Sequence, residues 1–326
     1  MVPSRARRTA LVVAALLVAG AFVPIYTSYR RDIGRAYERI DTGSHIAQTR
    51  CGPIEYATAG DGPPLLSVHG AGGGFDQGLE LAEPLARAGF RVIAMSRFGY
   101  LRTPLPPDAS AAAQADAHAC LLDALKVERA AVFGTSAGGP SSLQFALRHP
   151  ERTTALVLLV PAAYAPRPNE SPSMRAPRGT LFLFNTALRS DFLFWAMGKL
   201  AHETFVRGIL GTPPELLTKA SADERARVER IMDHILPVSP RRLGLLNDAA
   251  VTSSLVRYEL EKIAAPTLAI STADDLYGTF DGARYTAEHV SHGRFVGYPN
   301  GGHMLVGHDA EARSEITAFL NESAKF

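Results

Sequence analysis

Ala130-Ala131-Val132-Phe133-Gly134-Thr135-Ser136-Ala137-Gly138-Gly139 is the stretch on which the reading of this chain turns. Four apolar residues run into a G-x-S-x-G pattern, and a helical segment, Gly139–Arg148, leads out of it. A short apolar run bounded by glycines fits a buried strand. A serine between small residues at a strand-to-helix junction sits on a tight turn that bulky neighbours would obstruct, and the turn exposes its hydroxyl. The same turn brings the amide of Ala137 to a helix N-terminus, where backbone N–H groups lack partners within the helix and can hold an anionic oxygen.

Outward from that junction the pattern repeats. Residues 64–68, 90–95, 155–160 and 267–270 are further short apolar runs, and 293–297 is a weaker one. Helical stretches such as 109–125 and 140–148 lie between them. Apolar strands alternating with helices predict an α/β fold whose mostly parallel sheet is covered on both faces. Residues 164–258 break the alternation. A stretch with Pro166, Pro168, Pro172 and Pro177 gives way there to aromatic helical material, including Phe182, Phe184, Phe192, Phe194, Trp195 and Phe205. This predicts a helical cap inserted into a core made of 51–163 and 259–326.

A serine nucleophile needs a base, and the base needs a group that fixes its tautomer. His303 ends the loop Pro299-Asn300-Gly301-Gly302-His303, just beyond the last apolar run and before a helix over 310–320. His308 is the alternative base. The run 267–270 leads into Ser271-Thr272-Ala273-Asp274-Asp275. Catalytic groups of open parallel sheets sit at strand C-termini, so one of these two aspartates is the expected acid. After the first core run comes His69-Gly70-Ala71-Gly72-Gly73-Gly74. Its glycines let backbone approach a ligand, and the amide of Ala71, with Gly72 as second choice, is the expected partner of Ala137 in an oxyanion hole. The phosphate-loop patterns G-x-x-x-x-G-K-[ST] and G-x-G-x-x-G are both absent there. His69 itself reads as structural support beneath the loop.

Together these segments, over about 53–326, resemble the α/β-hydrolase superfamily. The order Ser136, Asp275, His303 is the Ser-acid-His order of that fold. Ser96-Arg97-Phe98-Gly99-Tyr100 sits where the family often has an Asp-x-x-Gly-Tyr loop, with Ser96 in place of the aspartate, and His149-Pro150-Glu151-Arg152 resembles its turn after the nucleophile helix. In that family the acid commonly lies nine residues beyond the proline that opens its strand, which from Pro266 selects Asp275 over Asp274. The glycine usual just before the acid is replaced by Thr272 or Ser271. The resemblance implies a serine hydrolase with no metal or organic cofactor, acting on a small-molecule carboxylic ester or related acyl compound. Carbon–carbon hydrolases, lyases and perhydrolases of the superfamily use the same residues. The serine at the elbow points away from its dehalogenase and epoxide-hydrolase branches, and the intact triad points away from a non-catalytic binding protein. The aromatic cap hints at an apolar substrate, though helical core packing accounts for the same residues.

A net charge of +2, with no Lys/Arg stripe outside the first residues, excludes the basic footprint of a nucleic-acid binder. The N-terminus reads as an address. A basic flank, 1–8, precedes residues 9–26, which carry no charge and are long enough to cross a membrane. Two readings stand: an uncleaved anchor, favoured because the run continues to Tyr26, or a signal peptide cleaved after Ala21. Either would keep the basic flank cytoplasmic and export the domain, leaving it membrane-anchored or secreted. Polar residues 27–50 are expected to form a short helix or linker. Cys51 and Cys120 are expected as two buried thiols, with a bridge between them if the domain is exported.

Overall fold

The computed structural model describes residues 5–166, 186 and 188–323, with the backbone alone for 5–19, 21 and 22. Helix α1 (Arg5–Asp41) precedes a sheet of eight strands among the described residues: β1 (His45–Thr49), β2 (Gly52–Ala59), β3 (Pro64–Val68), β4 (Arg91–Met95), β5 (Ala130–Thr135), β6 (Thr153–Leu159), β7 (Thr267–Thr272) and β8 (Gly293–Tyr298). Their order is β1-β2-β4-β3-β5-β6-β7-β8. Strands β3 to β8 pair in parallel, whereas β2 runs antiparallel to both β1 and β4. The central strands β5 and β7 are buried along their whole length, as continuous apolar runs require when helices cover both faces.

On one face lie α3 (Ala111–Ala124), α4 (Gly139–Arg148) and α10 (Thr279–His289). On the other lie α2 (Phe75–Arg87) and α11 (Asp309–Ser323). Between β6 and β7 the described cap helices are α5 (Asp191–Leu200), α6 (His202–Ile209), α7 (Pro214–Lys219), α8 (Ala222–Asp233) and α9 (Arg242–Thr252). Helices α5 and α8 start where the Ser190 and Ser221 hydroxyls accept the amides of Leu193 and Glu224, a polar cap at the residue preceding the helix. Pro168, Pro172, Pro177, Phe182 and Phe184 lie outside the described residues.

Three expectations are corrected. The sheet begins at His45 rather than 51, because β1 pairs with β2 in register from His45 opposite Tyr56 to Thr49 opposite Gly52. Residues 27–41 take the helical alternative rather than the linker: they continue α1, whose Ile33 and Ala36 are buried in the cap's apolar cluster. Cys51 and Cys120 form a disulfide; the hairpin turn after β1 meets α3 there, with the two Cα atoms 6.0 Å apart, inside the range a bridge needs. Among the described residues no helix is long and apolar enough to cross a membrane. The side chains of 9–19, 21 and 22, on which the membrane-span expectation rests, lie outside them.

Candidate active site

Ser136 follows β5 with φ of +49°, a left-handed conformation that costs a non-glycine residue about 1–3 kcal/mol and that the packing around it must hold. The motif glycines make that packing possible. A Cβ at Gly134 would lie 2.3 Å from Ser142 Oγ, and one at Gly138 would lie 2.6 Å from the carbonyl oxygen of Val68. The turn therefore lies directly on β3 and α4.

The structure brings Ser136, His303 and Asp275 together. His303 Nε2 is 2.8 Å from Ser136 Oγ, and Nδ1 is 2.8 Å from Asp275 Oδ2. Both the imidazole and the carboxylate are buried. Burial pushes the Asp275 carboxyl up, but the charge of His303 and hydrogen bonds from His303, Thr279 Oγ1 and the Tyr277 amide outweigh it and hold the group below its ordinary value. An ionised Asp275 accepts Nδ1–H and leaves the Nε2 lone pair facing the serine hydroxyl. Asp274 does different work: its Oδ1 accepts the Gly302 amide at 2.8 Å and so fixes the loop that carries His303. His308 is not at the serine; it bonds Asn300 Oδ1 at 3.1 Å and stacks on Tyr298.

Sequence reasoning missed the residues that hold this arrangement. Thr279 donates to Asp275 Oδ2, and its hydroxyl lies 2.9 Å from Ser271 Oγ. Thr272 Oγ1 donates to the Gly302 carbonyl at 2.9 Å. The two hydroxyl residues that replace a family glycine thus tie the acid and the histidine loop in place. Tyr277 sets its ring edge against His303, centroids 4.9 Å apart, and donates its hydroxyl to the Ile209 carbonyl of the cap. The missing carboxylate at position 96 also has a substitute: Ser96 donates at 2.7 Å to Glu55, buried on β2, whose carboxylate also holds Arg102.

The loop 69–74 lies against the serine, since a Cβ on Gly70 would stand 3.1 Å from Ser136 Cβ. Much of its polar backbone is occupied. Arg97 donates to the His69 carbonyl at 2.9 Å and the Gly70 carbonyl at 3.1 Å, and Arg241 donates to the Gly73 carbonyl at 2.5 Å. The Gly70 amide donates to Gln77 Oε1 at 3.1 Å. The Gly72 amide donates to Tyr100 Oη at 3.2 Å, which corrects its candidacy as an oxyanion donor: that N–H is already committed. Among the described residues no acceptor is found for the amide of Ala71, and Ala137 lies in the single turn that leads from the serine into α4. His69 is buried beneath the loop, its Nδ1 2.7 Å from the Gly70 carbonyl and its Nε2 accepting the Arg97 amide. Burial first, then the Arg97 charge, push its pKa well below the ordinary histidine value.

The cap supplies the counter-charges. Asp248 on α9 takes both Arg97 nitrogens, at 2.6 and 2.7 Å, and the Tyr100 hydroxyl at 2.5 Å. Arg241, fully buried just before α9, pairs with Asp76 at the start of α2, and Arg39 of α1 reaches the same carboxylate at 3.1 Å. Among the described residues no cluster of His, Cys, Asp and Glu side chains could hold a metal ion.

The profile of a family described as alpha/beta hydrolase fold matches residues 63–309. A 2-hydroxy-6-oxo-6-phenylhexa-2,4-dienoate hydrolase of Comamonas testosteroni is 33% identical over 127 residues, 36% of this chain and 44% of that protein. A 2-hydroxy-6-oxononadienedioate/2-hydroxy-6-oxononatrienedioate hydrolase of Paraburkholderia xenovorans is 30% identical over 191 residues, 50% of this chain and 66% of that protein. The chain therefore spans less than two thirds of the length of either relative. The solved alpha/beta hydrolase fold protein from Nakamurella multipartita is similar at a TM-score of 0.65 and 26% identity, over 85% of this chain and 98% of that one. A bromoperoxidase from Bacillus anthracis shares the fold, with a TM-score of 0.65 and 22% identity over 85% and 99% of the two chains.

Proposed function

Since the chain belongs to the α/β-hydrolase fold family, we propose that it is a serine hydrolase of a carboxylic ester or related acyl bond in a small, apolar substrate. The observation that carries this reading is the unbroken chain from Asp275 through His303 to Ser136, with both contacts at 2.8 Å. As Ser136 Oγ bonds to the substrate carbonyl carbon, its proton passes to His303 Nε2. The carbonyl electron pair moves onto oxygen, where the amides of Ala71 and Ala137 hold it. Collapse of that intermediate expels the alcohol, which takes the proton from His303. Water then attacks the acyl-serine, giving its proton to His303. The second collapse releases the acid and returns the proton to Ser136.

The test is labelling by a fluorophosphonate, followed by aryl-ester turnover. Wild type should label and turn over, and Ser136→Ala should do neither while keeping its fold. Labelling that survives in Ser136→Ala would remove the serine from the reaction. A second reading, hydrolysis of a carbon–carbon bond, is favoured by the names of the relatives above, both hydrolases of 2-hydroxy-6-oxo-dienoate compounds. Turnover of such a ring-fission diketone without ester turnover would select it.

We also propose that the domain is exported, anchored through residues 9–26 or released after Ala21. The Cys51–Cys120 bridge supports export, because structural disulfides persist in oxidising compartments. Finding both thiols alkylatable in the native protein from cells would count against it.

A further inference from the structure

We infer that one end of the cap, where the C-terminus of α5 meets residues 23–26 of α1, rests on the surface of a lipid bilayer. This rests on the proposed anchoring through residues 9–26. Helices α1 and α5 run antiparallel: Tyr37 Oη bonds Asp191 at 2.9 Å at one end, while Asp32 and Tyr29 meet Trp195 further along. Continuing that register brings Leu200 level with Ile25 and Tyr26.

There the surface is apolar. Leu193, Met197 and Leu200, spaced by four and three, form one stripe of α5, and Leu200 is 88% exposed. Val23, Ile25 and Tyr26 on α1 are each about half exposed beside it. Single exposed apolar side chains are ordinary, but a contiguous patch marks an interaction surface.

The sequence says what covers it. The patch begins where the uncharged run 9–26 ends, on the same helix, and 18 residues at 1.5 Å rise span roughly 27 Å, close to a hydrocarbon core of about 30 Å. Tyr26 is exposed at that join, as aromatic side chains are at the level of lipid headgroups. Exposed Arg30, Arg31, Arg35 and Lys199 follow around it, a positive rim suited to anionic headgroups. The attachment is rigid, because Ile33 and Ala36 are buried in the cap and Arg39 binds both Asp76 and the Leu236 carbonyl. A cap held this way meets apolar substrate already dissolved in the membrane.

The test uses the full-length chain reconstituted with vesicles of phosphatidylcholine and phosphatidylglycerol. An environment-sensitive NBD label is placed on Leu200→Cys, with Leu193→Cys, about 10 Å back along α5, as the depth control and Asp61→Cys, in the β2–β3 turn, as the distant control. The expected result is flotation with the vesicles, a blue shift at 200 that weakens at 193, and loss of most of the emission at 200 when acyl chains are brominated, with no change at 61. Flotation with a water-exposed label, or a blue shift that bromination does not quench, would overturn the inference and leave the anchor standing. The unquenched blue shift would mean that protein covers the patch. A chain that stays in solution would overturn the anchor, and the inference with it.

Discussion

Two regions meet at Ser136, and they are built differently. Ser136, Asp275 and His303 each lie within a few residues of the C-terminal end of a parallel strand, β5, β7 or β8, so the sheet sets their spacing and hydrogen bonds from residues close by in sequence fix it. The loop 69–74 is held instead by side chains far away in sequence: Arg97 and Asp248 are 151 residues apart, Asp76 and Arg241 165. In the proposed mechanism the first region moves protons along a short chain of hydrogen bonds. The second uses buried ion pairs between core and cap to hold a loop that, in the same mechanism, presents the Ala71 amide. Disturbing the first should therefore remove rate while sparing stability, and disturbing the second should cost both.

The largest effect is expected at the acid. Asp275→Asn should lower kcat about 10⁴-fold, because an amide in that place favours the wrong histidine tautomer. Asp274→Asn keeps an oxygen that can accept the Gly302 amide, so its loss should stay below about tenfold. Steady-state kinetics on an activated ester, with thermal melts alongside, separate the two. Equal losses would mean that loop position, not the proton chain, limits the reaction.

The first region was legible in the sequence, and the second was not, for a physical reason. Continuous apolar runs gave the parallel strands, and the glycines around Ser136 marked a turn that sterics allow to few other residues. Strands β1 and β2 escaped because one is a half-exposed edge and the other carries the buried Glu55 in mid-strand. Glu55 is polar by type and buried only because Ser96 and Arg102 reach it from β4 and the loop beyond. The disulfide, the grip of Arg97 and Arg241, and the docking of α1 on the cap all join residues without periodic spacing. No local pattern records them.

Breaking the cap's grip is the next largest effect. Asp248→Ala strands the buried Arg97 and should destabilise the fold by about 3–5 kcal/mol, read as a lower denaturant midpoint. Replacing the pair by Arg97→Met with Asp248→Leu should restore only part of that stability: an apolar pair avoids the desolvation of two ions, but the His69 and Gly70 carbonyls lose their donor. It should not restore kcat, because the guanidinium that Asp248→Ala leaves on those carbonyls is gone. A double variant with full activity would reduce the network to a structural tie.

A smaller effect comes from His118, buried behind the serine turn with Nε2 3.1 Å from Ser141 Oγ. Burial first, then the charge of Arg97, push its pKa down to about 3. The unfolded chain protonates this group near pH 6.5, so between about pH 6.5 and 3 it binds one proton more than the folded chain. Stability from this group is complete above 6.5 and is lost as pH falls, by at most about 1.4 kcal/mol per pH unit. In His118→Gln the fall in stability between pH 6 and 4 should be shallower. An unchanged slope would place the acid sensitivity elsewhere, and the depressed carboxyls Asp275 and Asp76 would add theirs only below their ordinary range.

The finest probe of the comparison is Tyr100, which joins the two halves of the second region: its hydroxyl donates to Asp248 of the cap and accepts the Gly72 amide of the loop. Burial and then Asp248 push its pKa well above the ordinary tyrosine value, so the hydroxyl keeps its proton and can do both. Tyr100→Phe leaves the ring in place against His69 and removes only these two bonds, a change worth about 1–2 kcal/mol. If the cap acts by holding the oxyanion loop, the loss should fall on kcat, about tenfold, with KM little changed, and should shrink when Asp248 is already Asn. If the melting temperature falls but kcat does not, the loop keeps its shape without this link, and Arg97 alone carries the coupling between cap and serine.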